Sequence, residues 1–166
     1  MLDDLKLVTV CERAICPNLR ECYSQQQLTF MILGDRCTRS CRFCAVAHGK
    51  PAPVEADEPQ RVAEAASRLG LKHIVITSVA RDELRDEGAG HFVHVMDAVR
   101  KRNPGITVEV LVPDFHGRHE LIAQVMASRP EVFAHNLETI ERLSPMVRPQ
   151  ADYRRSLTVL RLARSM

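Results

Sequence analysis

The sequence predicts an α/β fold built on parallel strands, and three observations lead there. From residue 28 onward, short apolar runs alternate with amphipathic stretches about four times over. Turn signals separate the runs, with no low-complexity segment and no Gly/Ser linker. Each strand candidate is followed by a helix-length connection, as parallel pairing with right-handed crossovers requires. The chain has 166 residues, 45% of them hydrophobic and 27% charged, enough for one domain with a real core. An open doubly wound sheet and part of a barrel both satisfy this pattern. No G-x-G-x-x-G follows the first strand, which counts against a dinucleotide-binding sheet.

LTFMIL (28–33) reads as a buried strand running into GDRC. A helix is expected over 58–69, with Asp57 as cap, Pro59 in the first turn, Val62, Ala65, Ala66 and Leu69 on one face, and Gly70 as the stop. HIVIT (73–77) follows as a strand. Phe92, Val95, Met96 and Val99 repeat at helical spacing before NPG (103–105), and TVEVLV (107–112) is strand-like up to Pro113. A helix over 121–128, a strand at EVFAH (131–135) and a short helix at ETIERL (138–143) continue the alternation. Asp152 is placed to cap a last helix bearing Tyr153, Leu157 and Leu160 on one stripe. Residues 1–27 stand before this as a cysteine-rich extension, and residues 28–166 form the domain. Ligands of parallel α/β sheets gather at the carboxyl ends of the strands. Here those ends carry GDRCTRSCRFC, SVARDEL, PDFHG and HNLE.

Charge says little about partners. Lys and Arg total 23 against 21 acids, a formal net charge of +2, which argues for neither nucleic acid nor an anionic membrane surface. The first residues, MLDDLKLVTV, lack a signal-peptide apolar region, and no stretch of about 18 apolar residues runs uncharged. The expected compartment is therefore reducing and cytoplasmic.

The cysteines say more. All six fall in two triplets: Cys11, Cys16 and Cys22 as C-x4-C-x5-C, and Cys37, Cys41 and Cys44 as C-x3-C-x2-C. Stable disulfides belong mainly to oxidising compartments and to small domains short of core, so reduced thiolates binding metal are the better reading. Structural zinc takes four protein ligands, and a cubane iron-sulfur cluster takes one thiolate per iron. Three cysteines fall one short of each, which for a 4Fe-4S cluster leaves one iron open to substrate or cofactor. The competing zinc site is Cys3His, completed by His48.

The spacing C-x3-C-x2-C, with Phe43 just before the last cysteine, resembles the signature of the radical S-adenosylmethionine enzymes. In that superfamily the open iron is chelated by S-adenosylmethionine, whose reductive cleavage yields a 5'-deoxyadenosyl radical able to remove hydrogen from unactivated carbon. CERAICPNLREC (11–22) before TFMILGDRCTRSCRFCAV (29–46) resembles the lipoyl synthase family more narrowly. The likeness continues through TSVARDEL (77–84), GAGHF (88–92), VEVLVPDF (108–115), HNLET (135–139) and VRPQADY (147–153). It implies a partial parallel (βα) barrel of the radical SAM type and two 4Fe-4S clusters, the second held by the first triplet and consumed as sulfur source. The implied reaction inserts sulfur at C6 and C8 of an octanoyl chain on a lysine of a carrier protein. The implied partners are that octanoylated carrier and a low-potential electron donor such as ferredoxin or flavodoxin.

By the same resemblance Ser78, Asn136 and Glu138 face S-adenosylmethionine, and Arg148 is a partner for a carboxylate. Each has a plainer reading. Ser78 and Asp82 can cap a turn, Asn136 can cap a helix near Glu138, and an exposed arginine is usually just solvated. His73 and His94 read as packing or surface residues, and the arginines of RRSLTVLRLAR (154–164) as a solvated face. The resemblance also sets limits. The family's barrel has six βα units and a C-terminal R-S-S-Y whose serine completes the auxiliary cluster. About four units are present here and R-S-S-Y is not, so a truncated form of reduced stability is expected. The alternatives are another radical sulfur-inserting enzyme, such as one methylthiolating tRNA, and an inactive metal-binding fragment.

Overall fold

A computed structural model describes residues 2–13 and 16–166; Met1, Ala14 and Ile15, which belong to the extension and its CERAIC motif, lie outside the described residues. In chain order the elements are β1 (Val8–Thr9), α1 (Val10–Arg13), α2 (Leu19–Ser24), β2 (Gln27–Ile32), α3 (Glu58–Arg68), β3 (His73–Ser78), α4 (Ala89–Arg102), β4 (Thr107–Leu111), α5 (His119–Ala127), β5 (Val132–Ala134), α6 (Ser144–Val147) and α7 (Tyr153–Arg164). Two single 3-10 turns, Phe115–Gly117 and Glu141–Leu143, are the remaining helical pieces among the described residues.

Among the described residues the strands form one open five-stranded sheet in the order β1-β2-β3-β4-β5. β2 to β5 are parallel, and β1 adds antiparallel to β2. The extension therefore joins the sheet. Register explains the two faces. Phe30, Ile76 and Val110 lie opposite one another, as do Leu28, Ile74 and Val108, and all are 0 to 1% exposed. They meet Val62, Ala66, Phe92, Met96, Val99 and Ile122 of the helices in a single core. Period-2 alternation puts Met31, Thr77 and Leu111 on the opposite face, where they floor a cleft. The helices cover one side, and chemistry has the other.

The expected α/β class, open sheet and every expected strand are present. Three local readings are corrected. Residues 138–140 are not helical: a 3-10 turn at Glu141–Leu143 leads into α6, because Glu138 sits at φ 63° and Ile140 is extended. On α7 the buried stripe is Ser156, Val159 and Ala163, not Tyr153, Leu157 and Leu160; small residues let α7 pack close on α5, and Leu157 is 37% exposed. Asp57 precedes α3 but makes no side-chain cap, pairing instead with Arg61 one turn on. Asp152 does cap α7, its carboxylate accepting from Arg155 N at 2.7 Å. No helix among the described residues is long and apolar enough to cross a membrane.

The end of β2 fixes the course of the chain into the cysteine segment. Leu33 takes φ 68°, an uncommon left-handed conformation for a branched residue, before Gly34 at φ 97°. Its amide donates to Glu58 Oε2 at 2.9 Å and its carbonyl accepts from Arg81 at 2.8 Å. The turn is held from both sides, so the chain leaves the strand in one direction only.

Candidate functional site

A cleft of about 280 Å³ opens at the carboxyl ends of β2 to β5. Cys37, Cys41, Cys44, Phe43, Ser78, Asn136, Glu138 and Arg148, which lie far apart in sequence, all line it. A larger groove of about 860 Å³ runs along α3 and α4 past Val54, His94 and Lys101, but no cysteine lines it, nor does Ser78, Asn136, Glu138 or Arg148, and we place the chemistry in the smaller cleft.

The cysteine loop is closed on itself and tied to its neighbours. Cys37 N–H donates to Ala47 carbonyl at 2.8 Å, and Gly49 N–H donates back to Cys37 carbonyl at 2.9 Å. His48 thus lies across from Cys37 in a backbone bridge. The Cys37 sulfur accepts from two amides, Ala80 at 3.3 Å and Arg39 at 3.4 Å. Such bonds to a cysteine sulfur stabilise negative charge on it when it is bound to metal. All six cysteines are free thiols. Burial pushes the Cys41 thiol up in pKa, while the Arg148 and Arg39 charges oppose that shift. In the described residues, no cysteine belongs to a group of three donor atoms mutually within 4.8 Å, a compactness that a single tetrahedral ion demands.

Two polar atoms bordering the cleft are buried without a hydrogen-bond partner among the described residues: Ser78 Oγ and Arg148 Nε. Arg148 is 8% exposed and spends Nη1 on the carbonyls of Asn136 and Leu137. Its solvated reading is wrong: α6 delivers it into the cleft wall, with Nε left over. Orphaned buried donors cost free energy unless a ligand meets them. They fit a polar, anion-bearing cofactor such as S-adenosylmethionine. Beside them Asn136 Nδ2 donates to Glu138 Oε1 at 2.9 Å, and because no helix starts near Glu138, Asn136 caps none. His135 is buried, and burial lowers its pKa although the bond to the Val112 carbonyl at 2.8 Å opposes this. That carbonyl can only accept, so Nδ1 carries the proton and Nε2 accepts from Ser156 Oγ at 2.9 Å.

Sequence reasoning passed over the charged pairs beneath this wall. Arg39 forks onto Asp82, with Nε at 2.8 Å and Nη2 at 2.8 Å, and Nη2 also reaches Asp114 Oδ1 at 2.8 Å. Asp114 Oδ2 is met by Arg155 at 3.2 Å. Asp82, weighed as a turn cap, is thus a partly buried partner of Arg39, and Arg155 is not part of a solvated face. Burial would raise the carboxyls of Asp82 and Asp114, but the bonds and charge of Arg39 outweigh it and hold both below the usual range. Arg39, buried itself, is driven the other way by its hydrogen bonds to the two acids and stays charged. The signal was in the sequence: SVARDEL and PDFHG each place an acid just past a strand end. Cys11 is buried against the core, whereas Cys16 and Cys22 are partly exposed; none of the three borders the cleft.

Comparisons with known proteins agree with this geometry. The profile of the Radical SAM superfamily matches residues 31–166. The chain belongs to that superfamily. Among curated radical SAM proteins, it is 51% identical over its full length to a lipoyl synthase of Caldicellulosiruptor saccharolyticus. It is 53% identical over 99% of its length to a lipoyl synthase of Caldanaerobacter subterraneus subsp. tengcongensis, and 54% identical over 98% to one of Rubrobacter xylanophilus. It spans 58%, 58% and 50% of those proteins' own lengths. Among solved structures, methylornithine synthase aligns with a TM-score of 0.63 over 84% of this chain and 41% of its own, at 13% identity, a likeness of fold alone.

Proposed function

We propose that this chain carries the cofactor-binding portion of a lipoyl synthase, an enzyme inserting sulfur at C6 and C8 of an octanoyl chain held on a carrier protein's lysine. The observation that carries it is the cleft, which three cysteines line together with Ser78 and Arg148, whose Oγ and Nε are buried and orphaned, at the strand ends of a radical SAM fold. Cys37, Cys41 and Cys44 would hold a 4Fe-4S cluster and leave one iron open. When bound, the cluster and S-adenosylmethionine supply hydrogen abstraction from unactivated carbon, which acid and base side chains cannot perform. The protein's own groups position and shield. Arg148 supplies a guanidinium to a carboxylate, Ser78 and Asn136 supply hydrogen bonds, and Glu138 accepts from cofactor hydroxyl or ammonium groups. Phe43, half exposed, lines the cleft beside the third cysteine as a flank for the cofactor, and Met31, Thr77 and Leu111 close the floor against water. Cys11, Cys16 and Cys22 would hold the auxiliary cluster that gives up sulfur. The octanoylated carrier, a low-potential donor such as ferredoxin or flavodoxin, and a cytoplasmic setting belong to the same reading.

Iron, sulfide and zinc assays on anaerobically reconstituted protein, with EPR of the reduced form, test it. Two 4Fe-4S clusters that fall to one in Cys37→Ala/Cys41→Ala/Cys44→Ala, and an EPR signal altered by S-adenosylmethionine, are expected. Zinc without sulfide would sink the reading.

A further inference from the structure

The cysteine loop touches more than its own ends. Thr38 N–H donates to the Ala80 carbonyl at 3.1 Å, and Thr38 Oγ1 bridges Ala80 carbonyl and Asp82 Oδ2 at 3.0 and 3.1 Å. Asp82 N–H returns a bond to Thr38 Oγ1 at 3.2 Å. Further along the loop, Arg42 N–H donates to Val147 carbonyl at 2.9 Å, and Ser40 meets Gln150. Arg81, only 3% exposed, donates to the carbonyls of Leu33 and Ala52, which are the two ends of the segment carrying the cysteines.

Adjacent residues Arg81 and Asp82 thus face opposite ways, one gripping the loop's ends and the other its middle through Arg39. Asp114, whose side chain is fully buried, ties Arg39 to the end of β4 and, through Arg155, to α7. Charge-assisted forks of this kind fix geometry as well as energy. None of these residues is a cysteine, and none needs metal to make its bonds.

We propose that Arg81 directly, and Asp82 and Asp114 through Arg39, act as positioning residues that hold the C-x3-C-x2-C loop in its binding shape before any cluster arrives, and that Arg39 and Asp82 set the cluster's reduction potential in opposite directions. The second half rests on the function proposed above; the first half does not. Arg39 lies between Cys37 and Cys41 in the chain and lines the same cleft as the three cysteines. A positive group beside a cluster favours the more negative reduced form, and a carboxylate favours the oxidised one. The other charged groups near Asp82 are few: His116 Nδ1 stands 3.9 Å from it and 2.9 Å from Glu87.

The test has an apo and a loaded arm, on the 166-residue chain with Arg39→Met, Arg39→Lys and Asp82→Asn. In the metal-free wild type, the amides of Cys37, Thr38 and Arg42 should be protected from hydrogen exchange. Both Arg39→Met and Asp82→Asn should reduce that protection roughly tenfold or more, with the amides of Ile74 and Ile76 unchanged as the check on folding. Loop amides unprotected in the wild type, or equally protected in the variants, overturn the clamp. In the loaded protein, the midpoint potential measured by EPR-monitored titration should become more negative in Arg39→Met and less negative in Asp82→Asn. Arg39→Lys, which keeps the charge but not the fork, should stay near wild-type potential while losing amide protection. Shifts of the same sign in Arg39→Met and Asp82→Asn would reveal loosening alone and overturn the electrostatic half. A wild type that takes up no sulfide-containing cluster overturns the proposed function, and the apo arm still decides the clamp.

Discussion

Cys37, Cys41 and Cys44 sit in a loop tied to the ends of β3 and β4 and to the segment around residue 147, while Cys16 and Cys22 are tied locally. Cys16 N–H donates to Cys11 carbonyl and Cys22 N–H to Asn18 carbonyl, both inside the same short segment. Cys11 alone of that triplet is anchored by burial in the core. A site shaped by tertiary contacts is formed whenever the domain is folded. A site shaped by local turns is ordered in large part by the metal itself, and its affinity then carries the cost of that ordering. The second triplet is therefore held in place by distant parts of the fold, and the first chiefly by its own segment, which under the proposed function makes one cluster site prebuilt and leaves the other for its metal to help build.

The sharpest way to break that contrast is to cut the prebuilt loop from its support. Asp114→Ala leaves Arg39 and Arg155 short of a buried partner and should destabilise the apo chain by about 3 kcal/mol or more in urea unfolding. A second cut acts on the strand end. A Cβ at Gly88 would stand 2.4 Å from Leu33 Cδ1, and φ is 87° there, so Gly88→Ala should cost about 2 kcal/mol and disturb the turn that launches the cysteine loop. The thermal midpoint should fall in step, with the first triplet's metal content unchanged.

Acid should find the prebuilt region first. His135, pinned between β4 and α7, has its pKa lowered chiefly by burial. The unfolded chain takes up that proton below about pH 6.5 while the folded one does not, so stability should decline as pH falls from there. His135→Asn should flatten the slope of urea midpoint against pH between about 7 and 5. Asp82 and Asp114 act lower down: their folded values lie below the unfolded ones, so their contribution is present above about pH 4 and is lost as pH falls further. The smallest effect belongs to the first triplet. Glu12→Gln, which weakens only the exposed end of the Thr9–Glu12 bond, should cost under about 1 kcal/mol. A loss as large as that of Asp114→Ala would erase the contrast.

Legibility in the sequence divides along the same line. Strands 28–33, 73–77 and 107–112 announced themselves because β-branched runs bounded by Gly or Pro have few other homes. The cysteine spacing and the residues Ser78, Asn136, Glu138 and Arg148 were legible as a set through resemblance, and the fold brings them to one cleft. Of the Arg39 network only the two acids past strand ends left a trace; the pairing itself was not legible, because the Arg of CTRSC and an Asp after a strand look like solvated turn residues until the sheet order brings them together. Nor was the α7 stripe: hydrophobicity favoured Leu157 and Leu160, but close approach to α5 selected Ser156, Val159 and Ala163. The antiparallel β1, two residues long, carries too little pattern to find.

The sequential strand order has a consequence for how the chain is made. Each strand pairs with the one just before it, so the sheet can grow along one edge as the chain emerges, β2 first and β5 last. The cysteine loop emerges directly after β2, yet its ties reach Asp82, then Asp114, then Val147, and at Ser40 to Gln150 a separation of 110 residues. The thiols of this loop are therefore synthesised early and their surroundings are completed late, so that they stay open to solvent and oxidant until the chain as far as Gln150 has emerged.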